Sequence, residues 1–263
     1  MSTWPFPPEL KAQLAQQGAR PPLRPRLALC WQGRLVGSVE PAWLEALAQA
    51  GGGPFFRQDG AVVHSLAEGE PGLAELAAAM HAAGLAGPWR GELLELVDEG
   101  GERLGRIERA AVRPLALRTQ AVHLVGCTGD GRVWVQRRAL SKPNDPGLLD
   151  TLMGGMVSAA DGLDSALERE TWEEAGLKLG QLRELRRGGA LSVCKPSRDG
   201  QGAGYMRETL HWYTCELPQG LSPENQDGEV DAFELLTPAE VLAALAQGRF
   251  TTEAALVLAA AFG

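Results

Sequence analysis

The segment that decides the fold runs from Gly154 to Leu177 and reads GGMVSAADGLDSALERETWEEAGL. Its later part predicts a helix over 163–175, because apolar residues recur at helical spacing and a glycine follows. Glu170, Glu173 and Glu174 stand at i, i+3 and i+4, so that helix carries all three carboxylates on one face. Like charges at this spacing repel one another unless a counter-ion is present.

A divalent cation suits these carboxylates, because Mg²⁺ and Mn²⁺ prefer hard oxygen ligands and also bind phosphates. Gly154 and Gly155 would let the preceding backbone approach such an ion closely. Arg169 stands next to the first glutamate and can orient a carboxylate with its guanidinium. A solvated acidic helix face is the competing interpretation of the three glutamates alone. The spacing of the flanking glycine and arginine decides between the two.

The same segment resembles the box of the Nudix hydrolases, which reads G, five residues, E, seven residues and then REUxEExGU, where U is aliphatic. This chain has Gly155, five residues, Asp161, seven residues and then RETWEEAGL from Arg169 to Leu177. The spacing is kept throughout, and a pattern of this length is a specific signal. Two positions depart from it, since Asp161 replaces the glutamate and Thr171 replaces the aliphatic residue.

The resemblance implies an α/β fold of the α+β type, an α/β/α sandwich with a mixed sheet, in which the box forms a loop, a helix and a loop. It also implies a divalent metal, Mg²⁺ or else Mn²⁺, held by Glu170, Glu173 and Glu174 with the carbonyl of Gly155. The metal would neutralise a diphosphate and activate water for attack on phosphorus, and a nearby carboxylate would take the proton. The implied catalytic residues are Glu173, Glu174, Asp161, Arg169 and Glu229.

Two of these assignments keep an alternative. Asp161 could act as a base or brace Arg169, but a short Asp before a helix, with Asp164 three residues on, is also typical of an N-cap. Glu229 lies in DGEVDAFELL, just before a predicted strand, where Nudix enzymes often place an extra base or metal ligand. A solvated loop glutamate is the other interpretation of that residue.

Ahead of the box, RRALSKPNDPGLLD (137–150) is similar to a segment of plant and fungal Nudix proteins. Those proteins carry an extra N-terminal domain and are related to thiamine-diphosphate enzymes. The resemblance implies hydrolysis of thiamine diphosphate, or of its oxidised analogues, to the monophosphate and phosphate. Arg137, Arg138 and Lys142 could bind the phosphate oxygens, although ordinary surface charge explains them equally well.

The chain is predicted to consist of an N-terminal accessory α+β domain, residues 1–116, and a Nudix hydrolase domain, residues 117–263. Prolines in residues 1–25 indicate an arm docked on a domain. The first unit carries no chemical motif, and it could close over the site, supply a homodimer surface or contribute substrate contacts. The predicted helices are 9–17, 41–50, 73–85, 163–175, 238–246 and 253–262, and the predicted strands are 26–31, 34–39, 61–66, 92–97, 103–111, 121–127, 132–138, 189–195, 208–217 and 232–236.

Composition excludes several classes of protein. A formal net charge of −8 argues against a nucleic acid polymer as partner, since such binding needs a basic face. No apolar run approaches the roughly 20 residues that a membrane-spanning helix needs. The four cysteines lie far apart without a CxxC pair, which predicts reduced thiols in the cytoplasm. Four aromatic or imidazole side chains on predicted strands are expected to be packed, although the tryptophans could stack on a flat substrate ring: Trp134, Trp212, His123 and His211.

Three other functions compete with a thiamine-type hydrolase. An isopentenyl-diphosphate isomerase needs a cysteine just ahead of the box, and residues 151–153 read TLM. A catalytically silent, ligand-sensing Nudix module typically loses box glutamates, whereas all three are present here. A nucleoside diphosphate derivative, such as ADP-ribose or a sugar nucleotide, stays open as substrate, because the box reads only the diphosphate and the metal.

Overall fold

The computed structural model describes residues 4–51 and 55–263, which fold around two separate sheets. An N-terminal helix, α1 (Pro8–Gly18), precedes the first sheet. That sheet has the strand order β2-β1-β4-β3, with β1 and β4 parallel and the outer pairs antiparallel. Its strands are β1 (Leu27–Trp31), β2 (Arg34–Val39), β3 (Phe56–Asp59) and β4 (Val62–Ser65).

Helices and a separate hairpin complete this first unit. They are α2 (Pro41–Gln49), α3 (Gly69–Ala82), β5 (Leu93–Val97), β6 (Arg103–Glu108) and α4 (Arg109–Val112). Both predicted hairpins of this unit are confirmed, and the predicted helix 73–85 starts and ends a few residues earlier. Strand β3 was not predicted, because FRQD has one apolar residue and lies at an exposed sheet edge where no alternation is needed.

The second unit is built on a seven-stranded mixed sheet in the order β11-β12-β7-β8-β13, with β10 beside β7 and β9 beside β8. The β12–β7 pair is parallel and the others are antiparallel. The strands are β7 (Arg118–Cys127), β8 (Val133–Arg138), β9 (Leu149–Asp150), β10 (Met153–Met156), β11 (Arg183–Ser197), β12 (Gly204–Glu216) and β13 (Val230–Leu236).

Helices cover both faces of this sheet, so the α/β/α sandwich is confirmed. Side chains alternate between the two faces along β7, with Val122 and Leu124 packing toward α5 (Leu163–Ala175) and Ala121 and Val125 toward the opposite layer. That opposite layer consists of α1, α6 (Pro238–Ala246) and α7 (Thr252–Phe262). A 3₁₀ turn, Leu179–Gln181, follows α5.

The N-terminal arm packs on the second unit rather than on the sheet that follows it in sequence. The Trp4 ring stacks on Phe262 with centroids 3.7 Å apart, and Lys11 donates to the carbonyl of Gly263 at 2.8 Å. Leu10 and Leu14 belong to the same apolar cluster as α7. A boundary at residue 116 stays a prediction, and the arm crosses it.

The two units are also joined through Arg26, whose guanidinium donates to the carbonyls of Pro114 and Ala203. Met156 at the end of β10 is buried in the apolar cluster of the first unit. The end of β10, next to the box glycines, is therefore held by both units. Among the described residues, no helix has both the length and the apolar character that a membrane span requires.

Candidate active site

A cavity of about 1070 Å³ lies where the two units meet. Its walls come from α5, the middle of β7, the ends of β10 and β11, the start of β12, the N-terminus of α7 and residues 142–146. The first unit adds Arg90, Arg109 and Arg113, and the N-terminal arm adds Arg20. The cavity therefore combines the predicted glutamates with cationic side chains from distant parts of the chain.

Residues next to each end of helix α5 determine where it begins and ends. Its N-cap is Gly162, whose backbone N–H donates to Ser165 Oγ, so the N-cap alternative for Asp161 is wrong. Gly176 ends the helix in the left-handed region (φ 64°), where a Cβ would also lie 2.5 Å from the carbonyl oxygen of Glu224. Thr171, which replaces the aliphatic box residue, is buried. Its hydroxyl donates to the carbonyl of Leu167, so the buried polar group has a partner.

Arg169 binds three carboxylates at once. Its guanidinium lies 2.8–2.9 Å from Asp161 Oδ2, 2.9 Å from Glu170 Oε1 and 3.0 Å from Glu173 Oε2. A planar fork with five N–H groups suits this geometry, which a lysine could not reproduce. In this structure Asp161 therefore braces Arg169, the second of the roles considered for it.

Glu174 is buried behind this cluster. It accepts hydrogen bonds from the Gly154 amide at 2.9 Å and from Gln136 Nε2 at 2.8 Å, and Lys142 Nζ lies 3.9 Å away. Burial raises the pKa of Glu174 against these favourable contacts. Burial likewise lowers the pKa of Lys142, although Glu174 opposes that shift.

Glu170 is a box glutamate whose pKa is raised by its surroundings. Burial, and then the charge of Glu174, raise its pKa to about 7 even though Arg169 contacts it. At neutral pH this carboxyl therefore stands near the midpoint of its titration. A cation that bound both glutamates would remove the repulsion between them.

The residues present fit a hard divalent cation. A Cβ at Gly155 would lie 2.0 Å from Glu170 Cδ, so the missing side chain is what lets the carboxylate reach this strand. Across the part of the chain that the structure describes, no three His, Cys, Asp or Glu side chains are close enough together to hold a metal. Arg169 and Lys142 instead neutralise the glutamates, and their contacts would have to rearrange around an ion.

The three predicted phosphate-binding residues are not all brought to the cavity. Lys142 lines it and pairs with Glu229, which in turn receives a contact from Arg90 at 3.3 Å. Arg138 lines it too, and binds Asp150 and the carbonyl of Asn144.

Arg137 does not line the cavity and pairs with Asp231 and Glu234, so the structure does not bring this predicted substrate-binding residue to the site. The reason is the strand period, since successive residues of β8 face opposite sides of the sheet. Arg137 and Arg138 therefore could not both point toward one ligand.

Several cavity residues were missed because no local motif marks them. His123 is buried, contacts Thr151 Oγ1 at 3.1 Å and lies 3.7 Å from Asp150, so it is packed as predicted yet also lines the cavity. Glu208 is a further example. A polar residue inside an otherwise apolar strand was the available signal.

The two tryptophans considered as stacking partners both lie outside the cavity wall. Trp134 packs in the cluster under α5, and Trp212 packs on the other face and contacts Gly188 and Gly189. His211 is buried and bonds to Gln120 at 2.9 Å. None of these three side chains lines the cavity.

The fold and the site together define an α/β/α sandwich protein with a glutamate-bearing helix at a cavity lined by both acidic and basic side chains. Comparison with protein families matches residues 117–256 to the NUDIX domain, and the chain belongs to the Nudix family. The family resemblance of the box is thereby confirmed. A relation of the N-terminal part to thiamine-diphosphate enzymes stays a prediction.

Individual relatives cover only part of this chain. It is 32% identical over 147 residues to Nudix hydrolase 20, chloroplastic, and 35% identical over 138 residues to Nudix hydrolase 24, chloroplastic, both from Arabidopsis thaliana. These alignments cover 55% and 51% of this chain but only 38% and 37% of the plant proteins. The crystal structure of DR0079 from Deinococcus radiodurans has a TM-score of 0.51 and 26% identity, covering 64% of this chain and 99% of that one.

Proposed function

We propose that this protein is a divalent-metal-dependent hydrolase that cleaves the diphosphate of a small organic diphosphate to the monophosphate and phosphate. One observation supports the proposal above the others. Glu170 and Glu174 are both buried carboxyls with raised pKa values, and the charge of Glu174 adds to the shift at Glu170, in a cavity that also carries Lys142 and Arg138. Buried like charges are costly unless a ligand of opposite charge offsets them.

The chain's own residues would divide the chemistry as follows. Glu170, Glu173 and Glu174, with the Gly155 carbonyl, would hold a Mg²⁺ or Mn²⁺ ion, which supplies charge neutralisation of the diphosphate and a more acidic water. Other residues would then contact or position the substrate.

Lys142 and Arg138 would bind phosphate oxygens, and Asp161 would hold Arg169 in place. Glu229 lies at the cavity wall, with its side chain about one-third exposed beside Lys142, where it can accept a proton from the attacking water.

For the organic group we propose thiamine diphosphate or one of its oxidised analogues, on the strength of segment 137–150. Seven of its residues line the cavity: Arg138, Lys142, Pro143, Asn144, Asp145, Pro146 and Asp150. ADP-ribose or a sugar nucleotide is the alternative, favoured by a cavity larger than the roughly 300–1,000 Å³ of most small-ligand sites. Either reaction is proposed to occur in the cytoplasm, where the four free thiols stay reduced.

Product analysis by phosphorus NMR tests the proposal. Purified protein with Mg²⁺ is given thiamine diphosphate, oxothiamine diphosphate, ADP-ribose and nucleoside diphosphate sugars. Glu174→Gln is the control, because it keeps the side-chain shape while removing the buried charge. We expect turnover to fall at least about 10²-fold in the variant.

The products separate the alternatives. Phosphate and a thiamine-type monophosphate would support the narrow proposal, whereas cleavage of ADP-ribose alone would keep the hydrolase and discard thiamine. No turnover, together with tight ligand binding, would favour the silent sensing module instead.

A further inference from the structure

A buried carboxylate at the far side of the cavity has no partner for one of its oxygens. Glu208 of β12 is 6% exposed and lines the cavity. Its Oε1 accepts a hydrogen bond from Thr119 Oγ1 at 2.9 Å. Within residues 4–51 and 55–263, no donor bonds to Oε2 and no cation lies within 4.0 Å of the carboxylate. Oε2 is not sealed inside the protein either, so it faces the cavity.

The other buried carboxylates of the cavity differ from Glu208 in this respect. Asp150 has Arg138 at 3.4 Å, Glu174 has Lys142 at 3.9 Å, and Glu253 has Lys195 at 2.8 Å. Lys195 stands on the strand next to Glu208 but is already paired with Glu253. Burying a carboxylate without a counter-charge costs free energy, so a ligand that offered Glu208 a hydrogen-bond donor or a positive charge would offset that cost.

The sheet register places Glu208 away from the box glutamates but within the same cavity. Glu208 pairs with Thr119 across one edge of β7, while Gly155 pairs with Val122 across the other edge. Three residues along β7 give about 10 Å, and two strand spacings give about 10 Å across, so their Cα atoms lie roughly 14 Å apart. Both residues line the same cavity, so an organic group attached to a diphosphate at the glutamates has a path to Glu208 over this distance.

We infer that Glu208 binds the organic end of the substrate and selects a nitrogenous head group, one that presents an amino group or a protonated ring nitrogen. Charge-assisted N–H···O bonds offset the desolvation of a carboxylate, whereas a hydrocarbon group would leave it unpaired. The inference rests on the proposed function and specifies the class of substrate. It assigns to Glu208 binding of the head group, with no part in the bond cleavage.

Two variants test this role. Glu208→Gln keeps an acceptor for Thr119 and removes the charge. Glu40→Gln is the matched control. Glu40 is about as buried (5%) as Glu208, but it pairs with Arg24 and does not line the cavity. The KM and kcat of each are measured on whichever of thiamine diphosphate or ADP-ribose the wild type hydrolyses. The inhibition constant of inorganic pyrophosphate against the same substrate reports on the diphosphate site alone.

We expect Glu208→Gln to raise KM roughly ten-fold or more, with kcat changed less than the KM and the pyrophosphate inhibition constant unchanged. Glu40→Gln should match the wild type in all three values. An unchanged KM in Glu208→Gln, or an equal loss of pyrophosphate binding, would overturn the inference while leaving the hydrolase proposal standing.

Calorimetry with thiamine monophosphate and adenosine monophosphate covers the case in which the wild type hydrolyses neither substrate. Binding to the wild type that Glu208→Gln weakens roughly ten-fold would support the head-group site even though the proposed function had failed. No binding to the wild type, or equal binding to both proteins, would overturn it.

Discussion

Two arginine–carboxylate clusters in this molecule have opposite electrostatic outcomes. In the first unit, Arg106 forms a two-pronged pair with Glu70, with N···O distances of 2.7–3.1 Å and both side chains more than two-fifths exposed. The hydrogen bond from Arg106 lowers the pKa of Glu70. In the cavity, Arg169 contacts Glu170 at 2.9 Å, yet the pKa of Glu170 is raised to about 7.

The difference shows that the setting of an ion pair, rather than its geometry, decides its effect. Water solvates the exposed carboxylate of Glu70, so its ionised form is already favourable and Arg106 stabilises that form further. Glu170 has lost that solvation and faces the charge of Glu174, and a single arginine shared among three carboxylates does not compensate. The exposed Arg106–Glu70 pair needs no further ligand, whereas a bound cation would stabilise the carboxylates around Arg169.

The largest effect is expected from adding a side chain at Gly155, next to the carboxylates that Arg169 binds. Gly155→Ala puts a Cβ 2.0 Å from Glu170 Cδ, so the carboxylate must move away from β10. We expect kcat/KM to fall about 10²-fold and any thermal stabilisation by Mg²⁺ to be lost. Steady-state kinetics and thermal unfolding with and without Mg²⁺ measure both.

Gly180→Ala is the matched control, because no atom of the described residues lies within 4 Å of a Cβ there. It should keep wild-type activity and wild-type stabilisation by Mg²⁺. Wild-type kinetics in Gly155→Ala would show that Glu170 does not need its present position.

A smaller effect is expected from the titration of Glu170. Because its folded-state pKa is raised to about 7 from 4.5, the folded state holds the proton more tightly than the unfolded state. The resulting penalty is present in full above pH 7 and is relieved as pH falls toward 4.5. Without metal, the melting temperature of the wild type relative to Glu170→Gln should therefore fall, by on the order of 5 °C, between roughly pH 5.5 and pH 8.

Mg²⁺ should reverse that trend, since it competes with the proton for Glu170. Stabilisation of the wild type by Mg²⁺ should be greater at the higher pH, and Glu170→Gln should show little at either pH. A difference between the two proteins that did not vary with pH would mean that Glu170 is ordinary in its titration, as an exposed glutamate is.

The smallest effect is expected at the surface pair. Glu70→Gln removes one member of an exposed ion pair, and pairs of this kind contribute little to folding. We expect the melting temperature to change by no more than about 2 °C, with activity unchanged. Thermal unfolding at low and high salt measures this, and a large loss that salt does not reduce would contradict the contrast between the two clusters.

Much of the fold followed from local patterns in the sequence. Helix 163–175 was predicted at its observed bounds, because apolar spacing and Gly176 both act within one or two turns. The strands β11 and β12 run longer than predicted, and β3, β9 and β10 were missed. These segments are polar, short or rich in glycine, and they form strands by pairing with a neighbour, which local periodicity does not reveal.

The candidate site divides in the same way. The box placed Glu170, Glu173 and Glu174 on one helix face, and the prediction of Lys142 and Arg138 near them needed only their position ahead of the box. No sequence pattern pointed to Arg90 or Arg113 of the first unit, since their approach depends on how two units pack.

By itself, the sequence determined the Nudix family, the helix that carries the glutamates and the spacing that aligns them, because these depend on residues within a few turns of one another. Only the tertiary structure decided that Asp161 braces Arg169, that Arg137 faces away, and that Glu208 lies in the cavity without a cationic partner among the described residues. The physical reason is that burial and partner choice depend on contacts between segments far apart in the chain, and these set the charge and accessibility of each group.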